Sequence, residues 1–171
     1  MKIGLISDTH SFLHPRVKHH FADVDEVWHG GDIGSFDLLQ ELAHFKPLRA
    51  VYGNIDSAEI RKETEENLFF AAGGMSVLMT HIAGYPGKYN QRALGLIKQH
   101  RPQIVICGHS HILKVIYDKK LQHLHINPGA AGIHGWHQVM TLVTFEINQA
   151  NIQNCKVIEL GPRGSALEAI T

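Results

Sequence analysis

The sequence predicts an α/β fold with two packed β-sheets, and three observations carry that expectation. The first half alternates short Val/Ile/Leu runs with helical patterns, as parallel strands with crossover helices do. The second half holds four strand-like runs separated by turn residues. Five of the apolar runs stop at polar clusters, which is where open α/β folds place their sites. At 171 residues, 44% hydrophobic and 19% charged, the chain reads as one domain over residues 1–171 with room for a substantial core.

The elements follow in order. Ile3-Gly4-Leu5-Ile6 is a first strand, and Pro15 opens a short helix to about His20, because proline is tolerated at the first helical position. Glu26-Val27-Trp28 is a second strand. Ser35 caps a helix over Phe36 to Phe45, whose apolar face is Phe36, Leu38, Leu39, Leu42 and Phe45. Pro47 breaks that helix before a third strand, Arg49 to Tyr52. Asn67 to Ala72 and Met75 to Thr80 form a hairpin around Gly73-Gly74, followed by a loop with Tyr85 and Tyr89. A helix from about Asn90 to His100 precedes the strand Ile104 to Cys107. Leu113–Tyr117, Leu121–Ile126, Gln138–Glu146 and Ile152–Leu160 read as a run of antiparallel strands, with a loose tail after about residue 161.

Composition narrows the function. Lys plus Arg equals Asp plus Glu, giving zero formal charge, so no basic stripe concentrates nucleic acid beyond a short oligonucleotide. No apolar run approaches a membrane span, and Asp8 arrives too early for a signal peptide. Two cysteines, Cys107 and Cys155, imply no disulfide scaffold. A cytoplasmic setting is the expectation.

The polar clusters are Asp8-Thr9-His10, Gly30-Gly31-Asp32, Gly53-Asn54, Thr80-His81 and Gly108-His109-Ser110-His111. They offer two Asp, one Asn and four His, ligand types for hard or borderline divalent metals. Strand alternation would point Asp8 and His10 the same way, and His109 and His111 likewise. Each cluster alone also has a plain reading: a turn Asp, an Asx cap, a Gly-Asn turn, a hydrogen-bonded histidine. Together they read as a two-metal site. Two cations about 3.5–4 Å apart share a water, lower its pKa and clamp phosphoryl oxygens for in-line displacement. Cys107, inside an apolar run, reads as packing. Thr9 and Ser110 lie between candidate ligands and suit orienting hydrogen bonds. His19, His20, His123 and His125 read as solvated, the last two alternating on an exposed strand face.

The series D-x-H, G-D, G-N, H and G-H-x-H resembles the calcineurin-like metallophosphoesterase superfamily. The short length and Gly53-Asn54-Ile55-Asp56 resemble its small bacterial and archaeal phosphodiesterase branch. The resemblance runs from Asp8 through Ile126-Asn127-Pro128-Gly129. It implies a four-layer αββα sandwich and two divalent ions, Mn²⁺ first, with Zn²⁺, Fe²⁺ or Ni²⁺ as alternatives. Asp8, His10 and His111 would hold one ion, Asn54, His81 and His109 the other, and Asp32 would bridge them. A metal-bridging hydroxide would attack a small phosphate diester, with Asp32, His109, Asn54 and Asp56 as catalytic residues.

One position departs from the family. A histidine often follows the Asn, placed to protonate the leaving group; here it is Ile55, which carries no proton. A positioned acid contributes about 10²–10⁴-fold, so good leaving groups are favoured. The basic residue that often follows the Asn127-Pro128-Gly129 turn is also missing, and His134 or His137 would substitute at the substrate phosphate, beside Asn54. The alternatives are a phosphomonoesterase or nucleotide pyrophosphohydrolase with the same centre, and a metal-binding scaffold resembling the family's retromer subunit. A large exposed apolar patch would favour the scaffold.

Overall fold

A computed structural model describes residues 1–163. The element order is β1 (Lys2–Ile6), α1 (Arg16–His20), β2 (Glu26–His29), α2 (Phe36–Phe45), β3 (Leu48–Ala50), α3 (Ala58–Glu63), β4 (Asn67–Ala72), β5 (Met75–Thr80), β6 (Gly84–Tyr85), β7 (Lys88–Tyr89), α4 (Gln91–His100), β8 (Ile104–Ile106), β9 (Lys114–Asp118), β10 (His123–Asn127), β11 (Val139–Asn148) and β12 (Asn151–Pro162). One five-stranded sheet runs β12-β11-β1-β2-β3 and a second runs β4-β5-β8-β10-β9.

Period-two alternation builds the layers. Ile3, Leu5, Trp28, Val77, Met79, Ile104 and Ile106 meet between the sheets. Their neighbours Ile6 and Val27 turn outward onto Val17, Phe21, Leu42 and Ile60 of the first three helices and their flanks. Leu78 and Val105 turn outward on the second sheet to Ile97 of α4. The result is helices, sheet, sheet, helix: the predicted α/β two-sheet sandwich flanked by helices. A fully buried Leu or Ile contributes roughly 1.5–3 kcal/mol, which fixes short helices that would not hold alone. Ser35 and Asn90 cap α2 and α4 by accepting from Leu38 and Ala93 N–H.

Three readings need correction. The second-half strands are not one antiparallel run. β9–β10 and β11–β12 are separate hairpins in different sheets, and β10 lies parallel to β8. His123 and His125 are buried, not solvated, because Tyr89 covers them and its hydroxyl lies 2.8 Å from His123 Nε2 and 3.2 Å from His125 Nδ1. The Tyr85–Tyr89 segment is a small β6–β7 hairpin. The chain after residue 161 continues as β12 to Pro162; the rest of the expected loose tail lies outside the described residues.

β1, β2 and β3 run parallel in one sheet, β5 and β8 in the other. The loops after these five strands carry all seven candidate ligands.

Candidate metal centre

Backbone bonds join the β1 loop to the β2 loop and the β5 loop to the β8 loop. Asp8 N–H donates to Gly31 O (3.0 Å), His10 N–H to Asp32 O (3.0 Å) and Gly108 N–H to His81 O (3.0 Å). Strand alternation stops at this point. Asp8, His10, Asp32, His109 and His111 all have positive φ, between 48° and 67°, a region costly for residues with a Cβ. Alternation alone would put His109 and His111 on one side; instead they diverge into two ligand groups, the division that the family resemblance implies, whereas Asp8 and His10, at similar φ, stay in one.

Those groups are Asp8, His10 and His111, and Asp32, His81 and His109, each with ligand atoms within 4.8 Å of one another. Asn54 joins the second, its Oδ1 3.2 Å from His81 Nε2. Asp32 reaches both: Oδ1 lies 3.3 Å from His81 Nε2 and Oδ2 3.8 Å from His10 Nε2. Asp8, fully buried, accepts from His109 N–H with both oxygens and lies 3.2 Å from His111 Nε2.

Proton accounting shows what the centre offers. His81 Nδ1 faces the Gly30 carbonyl at 2.8 Å. A carbonyl only accepts, so Nδ1 carries the hydrogen and Nε2 of the neutral ring presents a lone pair to two oxygens. A cation would take the place of the proton that Nε2 otherwise holds: burial works against the imidazolium, but the Asp32 hydrogen bond and the Asp8 and Asp32 charges outweigh it and raise the His81 pKa. Burial likewise opposes ionisation of Asp32, and the His81 hydrogen bond and charge reverse that, drawing its pKa down. His10 Nε2 and His111 Nε2 face each other at 3.4 Å. Lone pairs and carboxylates converging on two points fit cations there, and the His/Asp/Asn donor set suits borderline divalent metals. Cys107 offers no thiolate, since burial, with the Asp8 charge, pushes it up to about 12.

Asp56 sits behind this centre. Its Oδ1 accepts from Gly34 N–H and its Oδ2 from Gly53 N–H, both at 2.7 Å. Both oxygens are engaged in tying the β3 loop to the β2 loop, so Asp56 positions Asn54. His134 is exposed, with its ring 5.8 Å from that of His10. His137 packs against His111 at 5.2 Å and donates from Nε2 to Gly132 O. Ser110 is exposed and accepts from Asn127 Nδ2 (3.1 Å), and buried Thr9 bonds His29 and the Ile33 carbonyl, so neither side chain orients a candidate ligand directly.

The sequence reading missed His29. Gly31 N–H donates to its Nδ1, so Nε2–H donates to Thr9 Oγ1 (2.8 Å), whose hydroxyl donates to Ile33 O. Burial pushes its pKa down to about 4, keeping it neutral as a brace between the first two loops. Its place directly before Gly30-Gly31-Asp32 was the available signal.

Residues 1–150 match the calcineurin-like phosphoesterase superfamily domain. A probable metallophosphoesterase of Methanothermobacter thermautotrophicus is 32% identical over 137 residues, 76% of this chain and 77% of that protein. Among solved structures, a novel archaeal phosphodiesterase superposes with a TM-score of 0.72 at 25% identity, covering 92% of this chain and 100% of that one. Zinc-complexed Vps29 of Entamoeba histolytica shares the fold, with a TM-score of 0.69 at 18% identity, covering 94% and 100%.

Proposed function

The chain belongs to the calcineurin-like phosphoesterase superfamily, and on that premise we propose that it is a divalent-metal-dependent phosphodiesterase acting on small phosphate diesters. The observation that carries the reading is Asp32, one oxygen toward each ligand group. Two bound cations, Mn²⁺ first among the candidates, would activate a water and neutralise the phosphoryl oxygens. Asp8, His10 and His111 would hold one, Asn54, His81 and His109 the other, and Asp32 both. The hydrogen bond to Gly30 O aims His81 Nε2 at the centre, while Asp8 holds the His109 backbone. Exposed His134, its ring 5.8 Å from that of His10, would contact a phosphate oxygen. Ile55, half-exposed beside Asn54, supplies no proton to a leaving group. The likeness to the archaeal phosphodiesterase supports diesters over monoesters.

The test is hydrolysis of bis-p-nitrophenyl phosphate and p-nitrophenyl phosphate by metal-stripped protein with Mn²⁺ restored. Diester turnover that needs Mn²⁺ and disappears in Asp32→Ala is expected. Faster monoester turnover would move the reading to a phosphomonoesterase. A scaffold is favoured by a different observation: edge strand β9 exposes Val115, Ile116 and Tyr117, continuous with Ile112 and Leu113. No turnover by metal-loaded protein would select it.

A further inference from the structure

Beside the ligand cluster lies a cavity of about 210 Å³ that the proposed reaction leaves unused. It shares Asn54 and His81 with the cluster, and Tyr52, Gly53, Arg61, Glu66, Ile82 and Arg92 line its remaining walls. A cavity below the roughly 300–1,000 Å³ of drug-sized ligand pockets takes a compact group rather than a whole nucleoside.

Arg61 is bound along one edge only. Nε donates to Asp56 O (2.8 Å) and Nη2 to Gly53 O (3.2 Å) and Asn54 O (3.3 Å), with the guanidinium 4.7 Å from the Tyr52 ring centroid. Those acceptors are neutral carbonyls. Among the described residues no carboxylate pairs with Arg61, and its Nη1 makes no hydrogen bond. Arg92 donates from Nη2 to Thr80 Oγ1 (3.0 Å) and Ile82 O (3.3 Å), and from Nη1 to Asn67 Oδ1; its ion pair is with Glu66 at 3.2 Å. That pair is exposed, 38% and 53% at the side chains, and exposed pairs contribute little.

Two guanidiniums against one carboxylate leave a net positive wall next to the centre. A planar fork matches phosphate oxygens in a way that neither a neutral nor an apolar ligand would use. We propose that this cavity binds a second phosphate group, making phosphate diesters that carry a further phosphate a few bonds away the preferred substrate class. The inference rests on the phosphoesterase reading for the place of the first phosphate. The incoming group displaces Glu66 from Arg92 and meets the free edge of Arg61.

The experiment is calorimetric binding of AMP, ADP and adenosine 3′,5′-bisphosphate to the Mn²⁺-loaded protein. At least one of the two-phosphate ligands is expected to bind roughly tenfold or more tightly than AMP. Arg92→Gln and Arg61→Lys should each remove most of that advantage. Glu66→Gln, an exposed change that threatens no packing, should enlarge it several-fold by removing the competing carboxylate. Affinities within twofold of AMP for both ligands overturn the proposal. So does an advantage that survives Arg92→Gln and vanishes only in Asp32→Ala, because it then belongs to the metals. Because affinity is the readout, failure to hydrolyse bis-p-nitrophenyl phosphate counts against the phosphodiesterase reading alone.

Discussion

The buried cluster of Tyr89, His123, His125 and Cys107 makes a quantitative prediction about acid stability. His125 is fully buried, with Nδ1 3.2 Å from the Tyr89 hydroxyl and Nε2 3.7 Å from Cys107 Sγ. A second proton on the ring would point Nε2–H at sulfur, a weak acceptor. Burial, then the charges of His123 and Lys114, push its pKa down to about 4 against an ordinary 6.5, with Asp118 opposing. In that window the unfolded chain carries a proton that the folded chain refuses. Stability from this group is therefore complete above pH 6.5 and is lost as pH falls toward 4. Each pH unit is worth about 1.4 kcal/mol per proton, which puts the full loss on the order of 3 kcal/mol. Urea unfolding of metal-free wild type and His125→Gln between pH 4 and 7.5 reads it directly. The variant should be the less stable at pH 7.5, having lost its contacts with Tyr89 and Cys107, yet its stability should fall less on acidification. Parallel curves would refute the argument, since the refused proton would then lie elsewhere.

Three further outcomes follow from the ligand loops. A Cβ at Gly53 would overlap Asp32 Oδ1 and its backbone nitrogen, so Gly53→Ala should displace the shared carboxylate and cut Mn²⁺-dependent diester hydrolysis roughly a hundredfold while circular dichroism stays unchanged. Ile55→His should raise kcat/KM for unactivated alkyl diesters by roughly tenfold or more, with little gain on nitrophenyl esters that leave unaided; equal gains on both would show that no proton is delivered. Asp56→Asn keeps one acceptor for the two N–H groups of Gly34 and Gly53 and should cost about 1–3 kcal/mol in urea unfolding, with weaker Mn²⁺ binding in calorimetry as the Asn54 loop loosens.

What the sequence made legible was local. Ser35 and Asn90 announce α2 and α4 because a capping oxygen precedes an apolar period. Gly73-Gly74 sets the β4–β5 register from Asn67 opposite Thr80 to Ala72 opposite Met75. Helix α3 was not legible: six residues, four of them charged, bury only Ile60, too little for a period to show. Nor was the burial of His123 and His125, which depends on Tyr89 more than thirty residues earlier. A His-Leu-His-Ile alternation looks the same whether its polar face meets water or a tyrosine.

The ligand loops fall between these cases. Residue types and order named all seven candidates and the family resemblance their division into two groups, but the backbone angles that hold most of them are ones the residues themselves disfavour. Five of the seven sit at positive φ, where each costs of the order of 1–3 kcal/mol. That cost is met by backbone bonds from the β1 loop to the β2 loop and the His29 brace, which the motif does not contain, and by the two oxygens of Asp56, which it does. Conflict between local preference and global fold is expected where function, not stability, selects the conformation. Of the eleven described non-glycine residues at positive φ, five are candidate ligands and a sixth, Ser11, adjoins His10, so more than half of that strain lies in the ligand loops.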